Sequence, residues 1–407
     1  MISFELSAQQ QQIKEVTHWF AANEIRPIAL EAEKLGDVPE DWLHKINQMG
    51  IQLNTSFSSG GGGSSKSDGK SKGKKREREG NRLAVIATEE IAWGDPAIAL
   101  SLPGAGLGGP PIEGSGTPEQ KERFLSIFTP DEPRWGAYAL TEPEAGSDAS
   151  NIRTTAKKVD GGYIINGEKI FITNGARASW VVVFATVDPS LGRAGHRAFV
   201  VEKGTPGFTT SRVVEKMGLR ANETAELLFE DCFVPTENLL GGEELYEERA
   251  KGSGFQTAMA TFDSTRPIVA SMATGIARAA YEYTLDVIEQ NYPKTIQHHS
   301  KYALQQTLAE MEQNIQAARL LTWEAAWKAD QGQPNAKEAA ICKAFAGEMA
   351  LKVCSQCLEI LGPTSVENNL VEKWYRDVKV FDLFEGTNEI QQLVIARRQY
   401  EPYGIRV

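Results

Sequence analysis

The sequence has few cysteines and no long apolar run. Four cysteines among 407 residues are too few to suggest a disulfide framework, so they are expected to be reduced thiols. No run of ~18 apolar residues occurs, and the N-terminal MISFELSAQQQQ lacks a basic segment followed by an apolar one. The sequence therefore predicts neither a membrane span nor an export signal, and a cytoplasmic location is expected.

An excess of basic charge is also missing. The net charge of −11 disfavours non-specific binding to nucleic acid. One local exception is the stretch at 58–80, SSGGGGSSKSDGKSKGKKREREG, in which four glycines precede seven lysines and arginines. This loop has too little apolar surface to offset its ordering entropy. It is interpreted either as a flexible solvated loop, with the linker-like GGGGSS in it, or as an arm for an anionic partner such as CoA phosphate.

A metal site is not predicted. Cys354 and Cys357 have the spacing of a redox pair or of half a zinc site. However, they lie in a helix-like run, AFAGEMALKVCSQCLEIL, with no second pair and no nearby histidine. Cysteine packs as a small hydrophobe, so the favoured interpretation is that both are core residues of a helix.

The period of the apolar residues changes twice along the chain. Helical spacing covers roughly 1–132, short strands separated by Asn-Gly, Asp-Gly-Gly and Pro-Gly turns cover 133–245, and long helical patterns return over 246–407. The predicted fold class is α+β, with an N-terminal helical domain, a middle β-barrel-like domain and a C-terminal four-helix bundle. This plan alone names no reaction.

Several motifs narrow the function because they occur together and in order. YALTEPEAGSD lies at 138–148, YIINGEK at 163–169, FITNG at 171–175 and FEGTNEIQ at 384–391, with MGLR, FVP and ENLLG between them. In order and spacing, the chain resembles the acyl-CoA dehydrogenase family from about Asn81 to Arg398. The resemblance implies FAD-dependent oxidation of an acyl-CoA to its trans-2-enoyl-CoA, with electrons passed to an electron-transferring flavoprotein.

Glu385 is the predicted catalytic base. A thioester α-proton is weakly acidic, so a carboxylate must be placed beside it while the developing negative charge is stabilised. Phe381, Leu383 and Phe384 surround Glu385 in sequence and are expected to desolvate it and raise its pKa. Gly386 lets the backbone approach the ligand. The resemblance implies that the Glu385 backbone N–H and a flavin ribityl hydroxyl polarise the thioester carbonyl. The alternative is a carboxylate that only complements a helix dipole.

The resemblance also assigns FAD contacts. The implied positions are Leu140, Thr141, Gly146, Ser147, Phe171, Thr173, Thr387 and Glu389. Backbone amides and small hydroxyls can approach a phosphate closely, which suits Gly146 and Ser147. Taken alone, that motif is also compatible with a simple turn capped by Asp148.

For the acyl-CoA, the implied positions are Ser147, Arg266, Gly386 and Arg397. Arg266 is interpreted either as a substrate-side residue or as half of a buried ion pair with Asp263. Arg397 is either a CoA contact or a cation at a helix C-terminus. Some relatives carry the base on an earlier helix. The matching position here is Thr265, which cannot serve as that base.

Two stretches depart from the family pattern. The Arg-x-x-Phe-Gly element by which one subunit completes its neighbour's FAD site falls on 291–295, NYPKT, and a Gln-x-x-Gly-Gly element falls on 359–363, EILGP. Either a homologous subunit supplies the missing arginine in a heteromer, or Lys294, His298 and His299 substitute locally. A dimer or tetramer is expected in both cases. The remaining alternatives are use of the scaffold on a non-standard acyl thioester, or a non-catalytic structural partner.

Overall fold

The computed structural model describes residues 2–50, 79–248, 253–291, 301–366 and 369–404. Positions 58–78 of the predicted basic loop lie outside the described residues, as do Lys294, His298 and His299. None of the described helices combines the length and apolar character needed to cross a bilayer.

Helices occupy both ends of the described chain. The α-helices are α1 Ala8–Phe20, α2 Ala29–Leu35, α3 Glu40–Gln48, α4 Gly80–Gly94, α5 Pro96–Ser101, α6 Gly109–Ser115, α7 Pro118–Leu125, α8 Gly242–Glu248, α9 Ser253–Asn291, α10 Lys301–Asp330, α11 Ala336–Leu361, α12 Leu370–Val378 and α13 Asn388–Tyr400. A π-helical turn, Ala21–Ile25, continues α1. Short 3-10 turns include Lys379–Asp382, directly before the predicted base.

The strands form one seven-stranded sheet between the two helical regions. They are β1 Gly136–Ala139, β2 Thr155–Val159, β3 Gly162–Thr173, β4 Trp180–Thr186, β5 His196–Glu202, β6 Phe208–Val213 and β7 Thr224–Pro235. Their order is β1-β4-β2-β3-β7-β6, and β5 pairs with β4. β4 is buried along its whole length, because β1 and β5 flank it and apolar residues cover both faces. The predicted helical–β–helical fold is confirmed.

Helix α9 contains a proline yet continues through it. Pro267 has no N–H, so the carbonyl of Asp263, four residues earlier, loses its intrahelical partner. The amide Nδ2 of Asn335 lies 3.4 Å from that carbonyl oxygen and replaces the missing donor. The helix can therefore cross the predicted site without ending there.

A buried lysine links all three regions of the chain. The ammonium of Lys373 on α12 contacts Asp95 at 2.5 Å and Asp377 at 2.6 Å, and all three side chains are fully buried. Asp95 also caps α5, accepting from the Ala97 backbone N–H at 3.0 Å. Asp377 accepts the backbone N–H of Leu219, in the loop between β6 and β7, at 2.6 Å. Although burial opposes a charge, the two carboxylates raise the pKa of Lys373, so this cluster is ionic.

The cysteines are core residues. Cys232, Cys342, Cys354 and Cys357 are all buried free thiols, and burial raises the pKa of each one. Within the described ranges no cluster of histidine, cysteine and acidic side chains could hold a metal ion. The interpretation of the Cys354–Cys357 pair as packed helix residues is confirmed.

Candidate active site

Glu385 lies in a tight turn between the 3-10 turn Lys379–Asp382 and helix α13. Its φ is +54°, and that of Gly386 is +93°. A left-handed conformation costs a non-glycine residue on the order of 1–3 kcal/mol, and such strain is concentrated at functional sites. Phe171 has a φ of +57° and is another of the five described non-glycine residues with positive φ. Two residues predicted from the sequence as base and flavin contact are therefore conformationally strained.

The turn is held by donors from three helices. Gln391 on α13 donates its side-chain amide Nε2 to the carbonyl oxygens of Glu385 at 3.1 Å and Gly386 at 3.0 Å. Arg266 on α9 donates Nε to the Glu385 carbonyl at 3.3 Å, and Lys343 on α11 donates Nζ to the Gly386 carbonyl at 2.7 Å. A Cβ at position 386 would lie 2.5 Å from Gln391 Nε2. Glycine is thus required by both conformation and space.

The carboxyl group of Glu385 has one close polar partner among the residues that the structure describes. The hydroxyl of Thr265, on α9, donates to Glu385 Oε2 at 2.7 Å. Burial raises the pKa of Glu385 to about 7, while Thr265 and the cations of Arg266 and Lys343 oppose that rise. The direction matches the prediction from the apolar sequence around it. Near neutral pH this group divides between acid and base forms, which suits proton transfer.

Strand β1 approaches the base from the sheet side. The hydroxyl of Tyr138 is buried and has no hydrogen-bond partner among the described residues. Its ring packs against Phe184 at 5.0 Å and against Phe262 on α9 at 5.7 Å, measured between ring centroids. Burial and the charge of Glu385 raise the pKa of Tyr138 well above its usual value. The end of β1 and the Glu385 turn therefore meet across α9.

The predicted flavin segments meet beside β1. Ile170 in β3 donates its backbone N–H to the Thr141 carbonyl at 2.9 Å, which brings Leu140 and Thr141 alongside Phe171. The pairing of β3 with β7 is irregular between Lys169 and Ile172, and Phe171 projects there with 60% of its surface exposed. An exposed aromatic ring on a strained bulge is a suitable stacking surface for a flat ring system.

A buried ion pair fixes the turn after β1. Lys169 in β3 is fully buried and donates to Glu142 Oε1 at 2.7 Å and to the Leu140 carbonyl at 3.0 Å. Glu142 also accepts the backbone N–H groups of Arg153 at 2.5 Å and Thr154 at 3.0 Å. Burial lowers the pKa of Lys169 to about 8, and Glu142 opposes that fall. The pair is therefore ionic at neutral pH.

The remaining predicted FAD positions are polar and accessible. Gly146 and Ser147 are exposed, and a Cβ at Gly146 would meet no atom within 4 Å. Their turn is polar, since Asp148 accepts from Ser150 Oγ at 2.7 Å, as the alternative capped-turn interpretation requires. Thr173 is partly buried. Thr387 caps α13, accepting from the Ile390 N–H at 3.4 Å, and Glu389 is exposed in its first turn. These groups fit a cofactor that combines a flat ring with phosphates, although both roles of the Gly146–Asp148 turn remain compatible with the geometry.

The two predicted CoA arginines have different surroundings. Arg266 is buried and pairs with Asp263 at 3.0 Å, so the structural alternative for this residue is present, and a substrate contact stays a prediction. Arg397 is exposed in the last turn of α13. It lies roughly 15 Å along the helix axis from Thr387, and its role in binding CoA also stays a prediction.

Comparison with known families identifies the fold and its chemistry. Three models match in sequence order: the acyl-CoA dehydrogenase N-terminal domain over residues 7–129, the middle domain over 137–232 and the C-terminal domain over 252–400. The chain belongs to the acyl-CoA dehydrogenase family. As a member, it is an FAD-dependent oxidoreductase that dehydrogenates acyl-CoA thioesters.

Similar proteins cover nearly the whole chain. An acryloyl-CoA reductase (NADH) of Anaerotignum propionicum is 37% identical over 97% of this chain and 95% of its own length. The structure of butyryl-CoA dehydrogenase from Megasphaera elsdenii has a TM-score of 0.84 and 34% identity, covering 98% of this chain and 100% of that one. A chain from a structural study of the electron transferring flavoprotein of Acidaminococcus fermentans has a TM-score of 0.84 and 33% identity, covering 98% and 99%.

Sequence reasoning missed several residues of this acyl-CoA dehydrogenase site. Tyr138, Glu142, Lys169 and Gln391 all lie inside the quoted motifs, but no role was predicted for them. Lys343 lies outside every motif. Its only signal is a lysine in the middle of an alanine-rich apolar run, AAICKAFAGEM.

Proposed function

We propose that the Glu385 carboxylate removes the α-proton of an acyl-CoA thioester, giving the trans-2-enoyl-CoA. The observation that carries this proposal is a carboxyl group with a pKa of about 7, held in a strained turn and hydrogen-bonded to the Thr265 hydroxyl. When bound, FAD supplies the acceptor for the hydride that leaves the β-carbon. The α-proton goes to Glu385, the electron pair of the broken Cα–H bond forms the new double bond, and the electron pair of the Cβ–H bond leaves with the hydride.

The backbone around the base suits the negative charge that develops on the thioester oxygen. The N–H of Glu385 donates to no atom of the described residues, so it is available to a ligand. Its carbonyl, by contrast, accepts from both Arg266 and Gln391, which fixes the orientation of the peptide. A preoriented donor of this kind stabilises an enolate-like oxygen without reorganisation. We assign that role to the Glu385 N–H.

The FAD assignments are part of the same proposal. The isoalloxazine ring would contact Leu140, Thr141, Phe171 and Thr173. The phosphate and ribose groups would contact Gly146, Ser147, Thr387 and Glu389. Ser147, Gly386, Arg266 and Arg397 are the proposed acyl-CoA contacts. The adjacency of the Thr141 and Phe171 segments supports the ring site.

The base assignment is tested by anaerobic mixing of the holoenzyme with saturated acyl-CoAs of several chain lengths. The flavin's main visible band is expected to bleach with at least one substrate. Glu385→Gln keeps the shape and the contact with Thr265 but cannot take a proton, so bleaching is expected to fall by several orders of magnitude. If the variant bleaches as fast as the parent, Glu385 is not the base.

We further infer that an electron-transferring flavoprotein accepts the electrons and that the enzyme works in the cytoplasm. The similarity to a chain studied with such a flavoprotein supports the first inference. Adding purified electron-transferring flavoprotein to the reduced enzyme is expected to restore the visible band. A failure of reoxidation with this acceptor, together with rapid reoxidation by NAD⁺, would instead favour coupling to nicotinamide, as the name of the acryloyl-CoA reductase suggests for that relative.

We propose that the active enzyme is an oligomer, and that a homologous subunit completes its FAD site. Glu359 is exposed near the end of α11, where a carboxylate would repel a phosphate, and 292–295 of the other departing stretch lie outside the described residues. The test is FAD per protomer in the purified chain. A substoichiometric value that rises on adding a homologous subunit is expected; one FAD per protomer in a homo-oligomer refutes the heteromer.

A further inference from the structure

Lys343 is one of three lysines with almost no exposed surface in the described chain. Lys169 is paired with Glu142, and Lys373 with Asp95 and Asp377. Lys343 is 1% exposed, yet no carboxylate of the described residues forms an ion pair with it. The nearest carboxylates, Asp382 and Glu385, act on it only from beyond ion-pair distance. A buried cation in no direct ion pair is costly, so its position calls for a reason other than packing.

The partners of Lys343 all belong to the segment that carries the base. Its Nζ donates to the Gly386 carbonyl at 2.7 Å and to the Asp382 carbonyl at 3.3 Å. The two carbonyls are four residues apart and flank Glu385, so one ammonium spans the strained turn. The ammonium also contributes to the charge balance around Glu385, since it favours the ionised carboxylate.

Other charged groups near this carboxylate come from every element packed around it. They are Arg266 and its partner Asp263 on α9, Tyr138 on β1, Asp382 before the turn and Glu389 on α13. The Arg266 guanidinium is already paired with Asp263. The charge of Lys343 is the one that no carboxylate within the described ranges neutralises by direct contact.

We propose that Lys343 is a positioning residue for the base: it holds the Glu385–Gly386 turn in its left-handed conformation and supplies a positive charge that favours the ionised form of the Glu385 carboxylate. This inference rests on the proposed role of Glu385. Burial lowers the pKa of Lys343 to about 8, so the group is still mostly protonated at neutral pH. Lys343 thus acts through Glu385 and does not itself touch the reacting atoms.

Three substitutions separate the charge of Lys343 from its hydrogen bonds. Lys343→Gln keeps a donor and removes the charge, so the acidic limb of the pH profile for flavin bleaching is expected to rise by about one pH unit, with the plateau rate largely retained. Lys343→Met removes both, and the plateau rate is expected to fall as well. Lys343→Arg keeps the charge, so the acidic limb of its pH profile is expected to lie close to the parental pH.

A second readout does not depend on turnover. Infrared difference titration of the oxidised holoenzyme follows the protonated carboxyl band of Glu385, identified by its loss in Glu385→Gln. In Lys343→Gln that band is expected to persist to higher pH. Lys352→Gln, on the same helix but in a surface ion pair with Glu310 at 2.6 Å, is the matched control and is expected to leave both profiles unchanged.

The outcomes distinguish this inference from the proposed function. If Glu385→Gln abolishes bleaching but Lys343→Gln and Lys343→Met leave the limb and the carboxyl band where they are in the parent, the role of Lys343 is refuted and the base stands. If the flavin of Glu385→Gln bleaches as fast as that of the parent, Glu385 is not the base, and the role of Lys343 that rests on it is refuted as well. A fall in the plateau rate with no movement of the limb in any variant would reduce Lys343 to a structural residue and overturn the charge assignment.

Discussion

Replacing Thr265 with valine tests how strongly one hydroxyl tunes the base. Valine matches the shape of threonine but cannot donate the 2.7 Å hydrogen bond to Glu385 Oε2. The hydroxyl also lies 3.1 Å from the Thr261 carbonyl, so its single proton has two acceptors. When Glu385 is ionised, the carboxylate is the stronger acceptor. The substitution therefore removes a partner that favours the basic form.

The expected size follows from the geometry. A hydrogen bond to a charged group contributes about 1.5 kcal/mol, which corresponds to about one pKa unit. The pKa of Glu385 would rise from about 7 to about 8, so the ionised fraction at pH 7 falls from about one half to about one tenth. Flavin bleaching is then expected to slow about fivefold at pH 7 and to approach the parental rate near pH 9.

The assay is anaerobic stopped-flow bleaching at saturating acyl-CoA over a range of pH. Thr265→Ser retains the hydroxyl and is expected to stay close to the parent. Thr261→Val removes a buried hydroxyl one helical turn away, which donates to the Thr257 carbonyl, and is the control for general loss of helix packing. A Thr265→Val enzyme slowed equally at every pH would refute the reasoning, because it would show lost geometry and not an altered proton affinity.

Three further predictions concern stability and FAD. Because burial raises the pKa of Glu385 to about 7, the folded state favours the neutral acid, and this stabilisation is lost as the pH rises through 7. Glu385→Gln is thus expected to match the parent in thermal unfolding near pH 4 and to exceed it near pH 9, by at most about 3 kcal/mol. Equal curves at both pH values would contradict this. Lys169→Met leaves the buried Glu142 carboxylate without its cation, so it is expected to lower the free energy of unfolding by about 3–5 kcal/mol and to weaken FAD binding. Adding Glu142→Gln is expected to recover part of both losses. A double variant no more stable than Lys169→Met would contradict the proposed effect of the pair. Phe171→Gly relieves a positive φ but removes the exposed ring, so weaker FAD binding in a fluorescence titration is expected, and unchanged affinity would exclude Phe171 from the site.

Within 133–245, apolar alternation predicted the long strands and missed the short or exposed ones. The runs YIINGEKIFIT, WVVVFAT, HRAFVVE and AELLFEDCFVP coincide with β3, β4, β5 and β7. The weakly apolar TAKKV of β2 and FTTSRV of β6 gave no clear signal, because β6 is almost entirely exposed and β2 is largely so. Such strands form because their backbones pair with β3 and β7, and this pairing leaves no pattern in the local sequence.

Apolar spacing predicted the first helices correctly but not whether their apolar faces are buried. Ile13, Val16, Trp19 and Phe20 have the spacing of one apolar face, yet Val16 is 59% and Trp19 58% exposed while Phe20 is buried. Spacing predicts that a face is apolar but not what packs on it. In α3, Trp42, Leu43 and Ile46 are buried as their spacing predicts. Met49 continues the same spacing but lies just past the end of the helix and is exposed.

At the site, motif residues could be predicted because their chemistry is local. Glu385 stands among aromatic residues in sequence, and the structure gives it the raised pKa that this setting predicts. Lys343 and Thr265 reach the same carboxylate region from 42 and 120 positions away in the chain. Long-range contacts of this kind depend on how α9 and α11 pack, and they have no counterpart in local sequence spacing.

The buried cluster of Lys373, Asp95 and Asp377 couples the unfolding of all three regions of the chain. Any partial opening that withdraws α12 strands Asp95 and Asp377 as unneutralised anions in an apolar interior and frees the backbone amide of Leu219. Unfolding of one region while the others stay folded is therefore disfavoured. The protein is expected to melt in a single cooperative step, and a sheet excised from its flanking helices is not expected to survive on its own.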